Sequence, residues 1–368
     1  MIYLDNAATT RKKPLCAYFS FIKENLFSAN PGRGVHRAAV SAALKIEETR
    51  RVIREKFFDG DVIFTKNCTE ALNLAFTAKI KYKKVITSTA EHTSVLRPLK
   101  RLSEQGKIVL DIVDPSVEEF RKNIDRATGM VVIGAVSNVT GKSNPVEEIS
   151  KIVKEKSDAL VVVDGAQSAG KLDLDLRNVD MFASSGHKSL HGFQGTGFLI
   201  VRKGISLDPL VTGGTGISGP VIDVPNDIPE GMEAGTLNGP GIVAFGKAIE
   251  YTYKHMARIT KKENRLASAF CRSLSEEKNA IIYSCQNGIV LCNVKDRPCS
   301  EVADILSQKY GVYVRSGLHC APLMHKKLGT LPEGAVRVSF GDNNNYFHAI
   351  YAAYVFKKIC RGENAETY

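Results

Sequence analysis

Lys188 stands in the stretch Asp180 to Gly192, DMFASSGHKSLHG, where a short apolar run ends in small residues and presents a histidine and a lysine side by side. At a strand end, in a polar pocket, a lysine suits a Schiff-base amine. Desolvation and neighbouring positive charge keep part of it neutral and nucleophilic there. Two further stretches supply what such a site needs. ALVVVDGAQS (159–168) reads as a buried parallel strand ending in Asp164, at the carboxyl edge where doubly wound sheets bind ligands. A buried aspartate requires a positive partner, and a protonated pyridine nitrogen would serve. Gln167, three residues on, reaches a phenolic oxygen on the same ring. TKNCTEALNLA (65–75) follows the strand 62–64 and opens a helix whose free amides, with the Thr69 hydroxyl, make a phosphate site. Asn67 there also serves as a plain N-cap.

Together, a lysine, an aspartate beneath a pyridinium and a phosphate-binding helix start describe pyridoxal 5′-phosphate. A fourth group lies near the C-terminus, in VRSGLHCAPLMHKKLG (314–329). Cys320 follows a strand there, between His319 and Ala-Pro, with Arg315, Lys326 and Lys327 close in sequence. Such a positive, partly exposed setting favours a thiolate.

The ordered motifs TKNCTEALN, AEHTSVLRP, SNVTG, VVDGAQS, SSGHKSLHG, MEAGTLNGP, VRSGLHCAP and GAVRVSF extend the pattern over nearly the whole chain, from YLDNAATT onward. This order resembles the class V aminotransferase family and, within it, the cysteine desulfurases of the SUF (group II, NifS-like) type. The resemblance implies an α/β protein of the PLP-dependent transferase fold type I, with a mixed, mostly parallel seven-stranded sheet. Residues 15–245 would form the large PLP-binding domain, and 1–14 with 246–368 a small α+β domain carrying the cysteine loop. It further implies L-cysteine as substrate, alanine as product and a Cys320 persulfide passed to a protein sulfur acceptor, as in iron–sulfur cluster assembly, by a homodimer.

By the same resemblance, His92 stacks over the cofactor ring and shares in proton transfer, while Asn138 touches ring oxygen and substrate. Cys68 and Thr69 fall at the phosphate turn, Ser185 and His187 beside Lys188, and Thr236 at the phosphate of the neighbouring subunit. Arg337 is the expected carboxylate clamp, because its rigid fork matches a carboxylate with two parallel hydrogen bonds; Arg315 is a second candidate. The chain departs from the pattern at Leu318, where the SUF type has another histidine, at Cys68, and in the abbreviated excursion 214–233. Three alternatives stay open. A selenocysteine lyase shares every named residue; another class V aminotransferase or lyase uses Lys188, Asp164 and Arg337 but not Cys320; a non-enzymatic sulfur carrier has no use for the intact lysine, aspartate and arginine.

Bounds on the whole chain agree with an enzyme of this kind. Its 368 residues, 43% hydrophobic and 24% charged, are those of a soluble globular protein with room for two domains. The net charge of +11 is spread, with KIKYKK (79–84) the one notable run, so it reads as a solvated basic face and not as a nucleic-acid surface. No apolar run reaches spanning length and residue 1 leads into a strand-like IYLD, which argues against a membrane and for the cytoplasm. Eight cysteines without a CxxC pair form neither a disulfide framework nor a zinc site, and no metal is expected. Cys285, Cys292 and Cys299 are spaced by seven, but Asn287-Gly288 and Pro298 interrupt any helix, so a hairpin with two buried cysteines is expected. GTGISG (214–219) matches a dinucleotide string without the helix that must follow it, and reads as an excursion near the dimer interface.

The elements that must position these groups are also legible. A helix is expected over about 36–57, with Ala39, Ala43, Ile46, Ile53 and Phe57 as its apolar stripe and Glu47 paired with Arg51 outside. Apolar runs at VIFT, KVITSTA, IVLDIV, MVVIGAVS, LVVVDGA, MFASS and GFLIVRK predict seven strands, and a helix should run from Ile242.

Overall fold

The structure, a computed structural model, describes residues 1–32, 34–215, 222, 225 and 227–363. Its first half runs β1 (Ile2–Tyr3), α1 (Leu15–Phe27), α2 (Arg37–Lys56), β2 (Asp61–Thr65), α3 (Cys68–Ala75), β3 (Lys84–Ser88), α4 (Thr93–Glu104), β4 (Val109–Val113), α5 (Val117–Asn123) and β5 (Thr128–Gly134). Then come α6 (Val146–Lys156), β6 (Leu160–Asp164), β7 (Met181–Ser185), β8 (Gly197–Val201) and the 36-residue α7 (Gly239–Leu274). The C-terminal part holds β9 (Ala280–Gln286), β10 (Ile289–Val294), α8 (Cys299–Tyr310), β11 (Val312–Tyr313), β12 (Arg315–Gly317), α9 (Pro322–Lys327), β13 (Ala335–Ser339) and α10 (Tyr346–Cys360).

All seven expected runs are strands of one sheet, ordered β2-β8-β7-β6-β5-β3-β4. Only β8 runs against its neighbours. Alternation along a strand sends successive side chains to opposite faces, and both faces here are covered. Val161 and Val163 join one apolar cluster with Ile46, Ile53, Ile149 and Phe245, whereas Val162 joins another with Leu72, Val95 and Leu99. Helices α2, α6 and α7 thus close one side, α3 and α4 the other. Continuous burial is why these strands read as unbroken apolar runs.

A four-stranded antiparallel sheet, β12-β13-β10-β9, packs with α8, α10 and the C-terminal half of α7 into a third cluster. The N-terminal strand joins it, with Ile2 opposite Val312 and Asp5 bridging Ser339. The helix expected from Ile242 begins at Gly239, capped by the Asn238 side chain. Residue 245 lies within it, and α7 contributes Phe245 to the large sheet's cluster and Phe270 to the small sheet's. Asn287 and Gly288, both at positive φ (49° and 74°), make the tight turn between β9 and β10 that favours such residues. In that hairpin Cys292 is buried but Cys285 is only half-buried, and Cys299 opens α8. The expected Glu47–Arg51 pair is not formed. Arg51 has acidic neighbours a turn away on both sides and takes Glu48 (2.6 Å) and Glu55, while Glu47 pairs with Arg50 (3.5 Å) and Arg54 (2.5 Å).

One buried ion pair joins the two sheets' territories. Lys171, from the loop after β6, lies 2.9 Å from Glu263 on α7, and its ammonium also donates to the Asn287 carbonyl at 3.2 Å. Burial pushes the Glu263 carboxyl up while Lys171 pulls it down. Removing one partner would leave an uncompensated buried charge, so Lys171→Met is expected to cost about 3–5 kcal/mol in urea unfolding.

Candidate active site

Strands β5, β6 and β7 end at one edge, and their C-terminal residues floor a cavity. It is lined by Cys68 and Thr69 at the start of α3, by His92, Asn138, Asp164 and Gln167, and by Ser185, His187 and Lys188. Nine of the residues picked out by sequence therefore share one space. Gly186 makes the turn after β7 possible: a Cβ there would lie 2.2 Å from Thr196 Oγ1. The YLDNAATT segment then braces the lysine loop. Thr10 N–H donates to the His187 carbonyl at 3.0 Å and the Thr10 hydroxyl to the Lys188 carbonyl at 3.0 Å. Lys13, whose burial brings its ammonium down to about 8, donates to the His187 carbonyl as well.

Burial lowers the Lys188 ammonium from its ordinary value, with Asp164 opposing. Asp164 Oδ1 accepts the Ala166 N–H at 2.9 Å and the Cys68 thiol at 3.4 Å, leaving Oδ2 for a ligand. Cys68 thus turns its side chain beneath Asp164, where burial and that carboxylate push its thiol well up. His92 caps α4: its Nδ1 accepts the Ser94 N–H at 3.1 Å and meets the Ser94 hydroxyl at 2.7 Å. Burial, then Lys188, brings its pKa to about 4, so the neutral ring carries its proton on Nε2. Three buried polar atoms along this cavity have no partner: Gln167 Oε1, Ser185 Oγ and His187 Nδ1. Buried polar groups are paired as a rule, and three orphans around one space mark a ligand site.

The Cys320 loop is tied to the cavity's wall from the other sheet. Exposed, Cys320 follows β12, and its carbonyl accepts the Thr93 N–H at 2.8 Å, next to His92. Asn138, on the cavity wall, donates from Nδ2 to the His319 carbonyl at 2.7 Å. Arg337 on β13, 2% exposed, donates to the Asn138 carbonyl at 2.9 Å and pairs with Asp5 at 2.8 Å, with Nε unpartnered. Arg315 on β12 sits directly opposite Arg337 in the ladder. Lys327 is engaged elsewhere, 3.0 Å from Asp114. Thr236 does not line the Lys188 cavity: it is exposed and borders a separate cavity of about 670 Å³ with Glu47, Arg50 and Glu233. Residues 216–219 of GTGISG lie outside the described residues. No described helix is long and apolar enough to cross a membrane.

Two groups escaped the sequence reading. Asp5 was visible only as part of YLDNAATT. Glu91, in the quoted AEH, is almost wholly buried on the cavity wall, taking the Ser88 hydroxyl at 2.6 Å and the Gly134 N–H at 2.8 Å. Burial pushes its carboxyl up to about 8. Because the folded pKa lies above the unfolded one, its contribution to stability is full below the ordinary carboxylate range and is lost as pH rises through about 8. Glu91→Gln, which mimics the protonated acid, is expected to flatten the fall of the urea midpoint between about pH 5 and pH 8.

The family model for class-V aminotransferases matches residues 2–346. The chain belongs to the class-V aminotransferase family. It is 33% identical to a probable cysteine desulfurase of Methanothermobacter thermautotrophicus and 34% identical to one of Pyrococcus abyssi, each match covering 92% of this chain and 89% of the relative. The apo structure of a cysteine desulfurase from Thermococcus onnurineus superposes with a TM-score of 0.90, at 31% identity over 98% of this chain and 95% of that one.

Proposed function

We propose that this chain is a pyridoxal 5′-phosphate-dependent cysteine desulfurase that converts L-cysteine to L-alanine and takes the sulfur onto Cys320. The supporting observation is the meeting of two sets of groups: a cavity holding Lys188, Asp164 and three orphaned polar atoms, and the Cys320 loop tied to that cavity's wall through Asn138 and Thr93. The residues fit the cofactor. Lys188 would hold its aldehyde carbon, Asp164 Oδ2 its ring nitrogen and Gln167 its phenolic oxygen. Ser185, His187, Thr69 and the first amides of α3 would meet the phosphate. When bound, this cofactor supplies an electron sink for the substrate Cα.

The chain's own groups then divide the work. Arg337 orients the substrate carboxylate, which must share or displace Asp5. Lys188, favoured as a neutral amine by burial, takes the α-proton at Nζ. The Cys320 thiolate attacks the substrate sulfur; an S–S bond forms, the C–S bond breaks, and the carbon keeps the electron pair and is protonated on the way to alanine. The test is release of alanine and sulfide from L-cysteine with dithiothreitol, beside selenocysteine and transamination donors. Equal turnover of an unrelated amino donor, with none of cysteine, would reject the reading.

The enzyme is proposed to act as a homodimer. On α1, Leu15, Phe19, Ile22 and Leu26 recur at helical spacing on an exposed face, continued by Val40 and Leu44 on α2. Such a patch fits a second copy that brings Thr236 toward its partner's phosphate site. Analytical ultracentrifugation is expected to give a dimer; a fully active monomer would contradict it.

A further inference from the structure

His319 and Cys320 are adjacent residues with side chains, and both occupy the left-handed region, at φ 49° and 57°. That region costs energy for any residue with a Cβ, so such a pair persists only where its surroundings hold it. On the cavity side the two carbonyls are held by Asn138 Nδ2 (2.7 Å) and Thr93 N–H (2.8 Å). On the far side the anchor is made of side chains. His319 Nε2 lies 3.3 Å from the Arg315 carbonyl, and its Nδ1 lies 3.2 Å from Nε2 of the fully buried His325. His325 Nδ1 lies 2.8 Å from the Thr330 hydroxyl.

Counting protons leaves one arrangement. A carbonyl only accepts, so His319 carries its hydrogen on Nε2. Burial brings His319 to about 3, with Arg337 adding to the fall and the hydrogen bond to the Arg315 carbonyl opposing it, and burial lowers His325 as well; both rings are neutral. His319 Nδ1 is therefore bare and accepts from His325 Nε2–H. His325 Nδ1, left bare, in turn accepts from the Thr330 hydroxyl at 2.8 Å, a shorter contact than the 3.2 Å from the same hydroxyl to the His325 carbonyl. The chain runs one way, from Thr330 through His325 and His319 to the Arg315 carbonyl.

We propose that His325, acting through His319, is a positioning residue for Cys320: the one-way hydrogen-bond chain locks the His319 ring to β12 and so fixes the left-handed pair that carries the thiol beside the cavity wall. This rests on the desulfurase reading, which supplies the reason for positioning the thiol. Neither imidazole is asked to touch substrate.

The holoenzyme variants His325→Leu and His325→Gln separate this from a filling role, since glutamine keeps an N–H where Nε2 was. His325→Leu is expected to lower kcat for L-cysteine by about 10- to 100-fold with KM little changed, as loss of positioning does. Cysteine sulfinate, whose sulfur departs without attack by a thiolate, should react at close to the unmutated rate. His325→Gln should recover most of the cysteine rate, and Thr330→Val, which removes only the first donor, should show a smaller loss of the same kind. Hydrogen exchange of the peptide spanning 315–322 should rise in His325→Leu and not in His325→Gln. Equal loss with both substrates, no rescue by glutamine, or unchanged exchange in His325→Leu would overturn the proposal. Absence of cysteine turnover in the unmutated protein, with the exchange pattern as expected, would reject the desulfurase reading and leave the loop-anchoring role in place.

Discussion

Cys320→Ser is expected to lower alanine formation from L-cysteine by about 10³-fold or more while the protein keeps its cofactor and yellow colour. The size of the effect follows from the step removed. A hydroxyl at neutral pH is a far weaker nucleophile toward sulfur than a thiolate. Colour should survive because Cys320 lies outside the cavity lining that Lys188, Asp164 and Gln167 provide. Measuring alanine under steady-state conditions, beside the visible spectrum, checks both halves. A spectrum unchanged with a rate near that of the unmutated protein would remove the persulfide route and favour a lyase or aminotransferase acting without the thiol.

Lys188→Ala is expected to abolish turnover and covalent cofactor retention together. Burial already weakens the charged form of this lysine, and its loop is clamped from four directions, by Thr10, Lys13, Gly192 and Thr196. Borohydride should fix the cofactor to the unmutated chain and leave the variant unlabelled. A variant that retained activity would end the assignment of Lys188.

How much of this was legible depends on where each interaction is written. The seven strands announced themselves because burial on both faces makes continuous apolar runs, as in LVVVD, where Val162 alternates with Val161 and Val163 between two cores. Asp164 was legible because its strand leaves a signature in the sequence, an apolar run stopping at a charged residue, and Lys188 because it closely follows the strand MFASS, which ends in small residues. What stayed hidden is tertiary. Nothing near Arg337 in sequence points to Asp5, 332 residues away, and nothing near Cys68 points to Asp164, 96 residues away. Glu91 looks like any acid beside a histidine, and its burial, visible only in the fold, raises its proton affinity against the hydrogen bonds from Ser88 and Gly134. Arg51 shows a different limit: helical spacing offers several acidic partners a turn away, and it does not choose among them.

The central claim is that sulfur passes from the substrate to Cys320. The most direct measurement is the mass of the peptide holding Cys320 after brief exposure of the unmutated holoenzyme to L-cysteine, without reductant and with exclusion of oxygen. One added sulfur atom on that peptide, absent from the Cys320→Ser protein and lost on adding dithiothreitol, is the expected result. Alanine formation in stoichiometric amount with no mass added at Cys320 would contradict it.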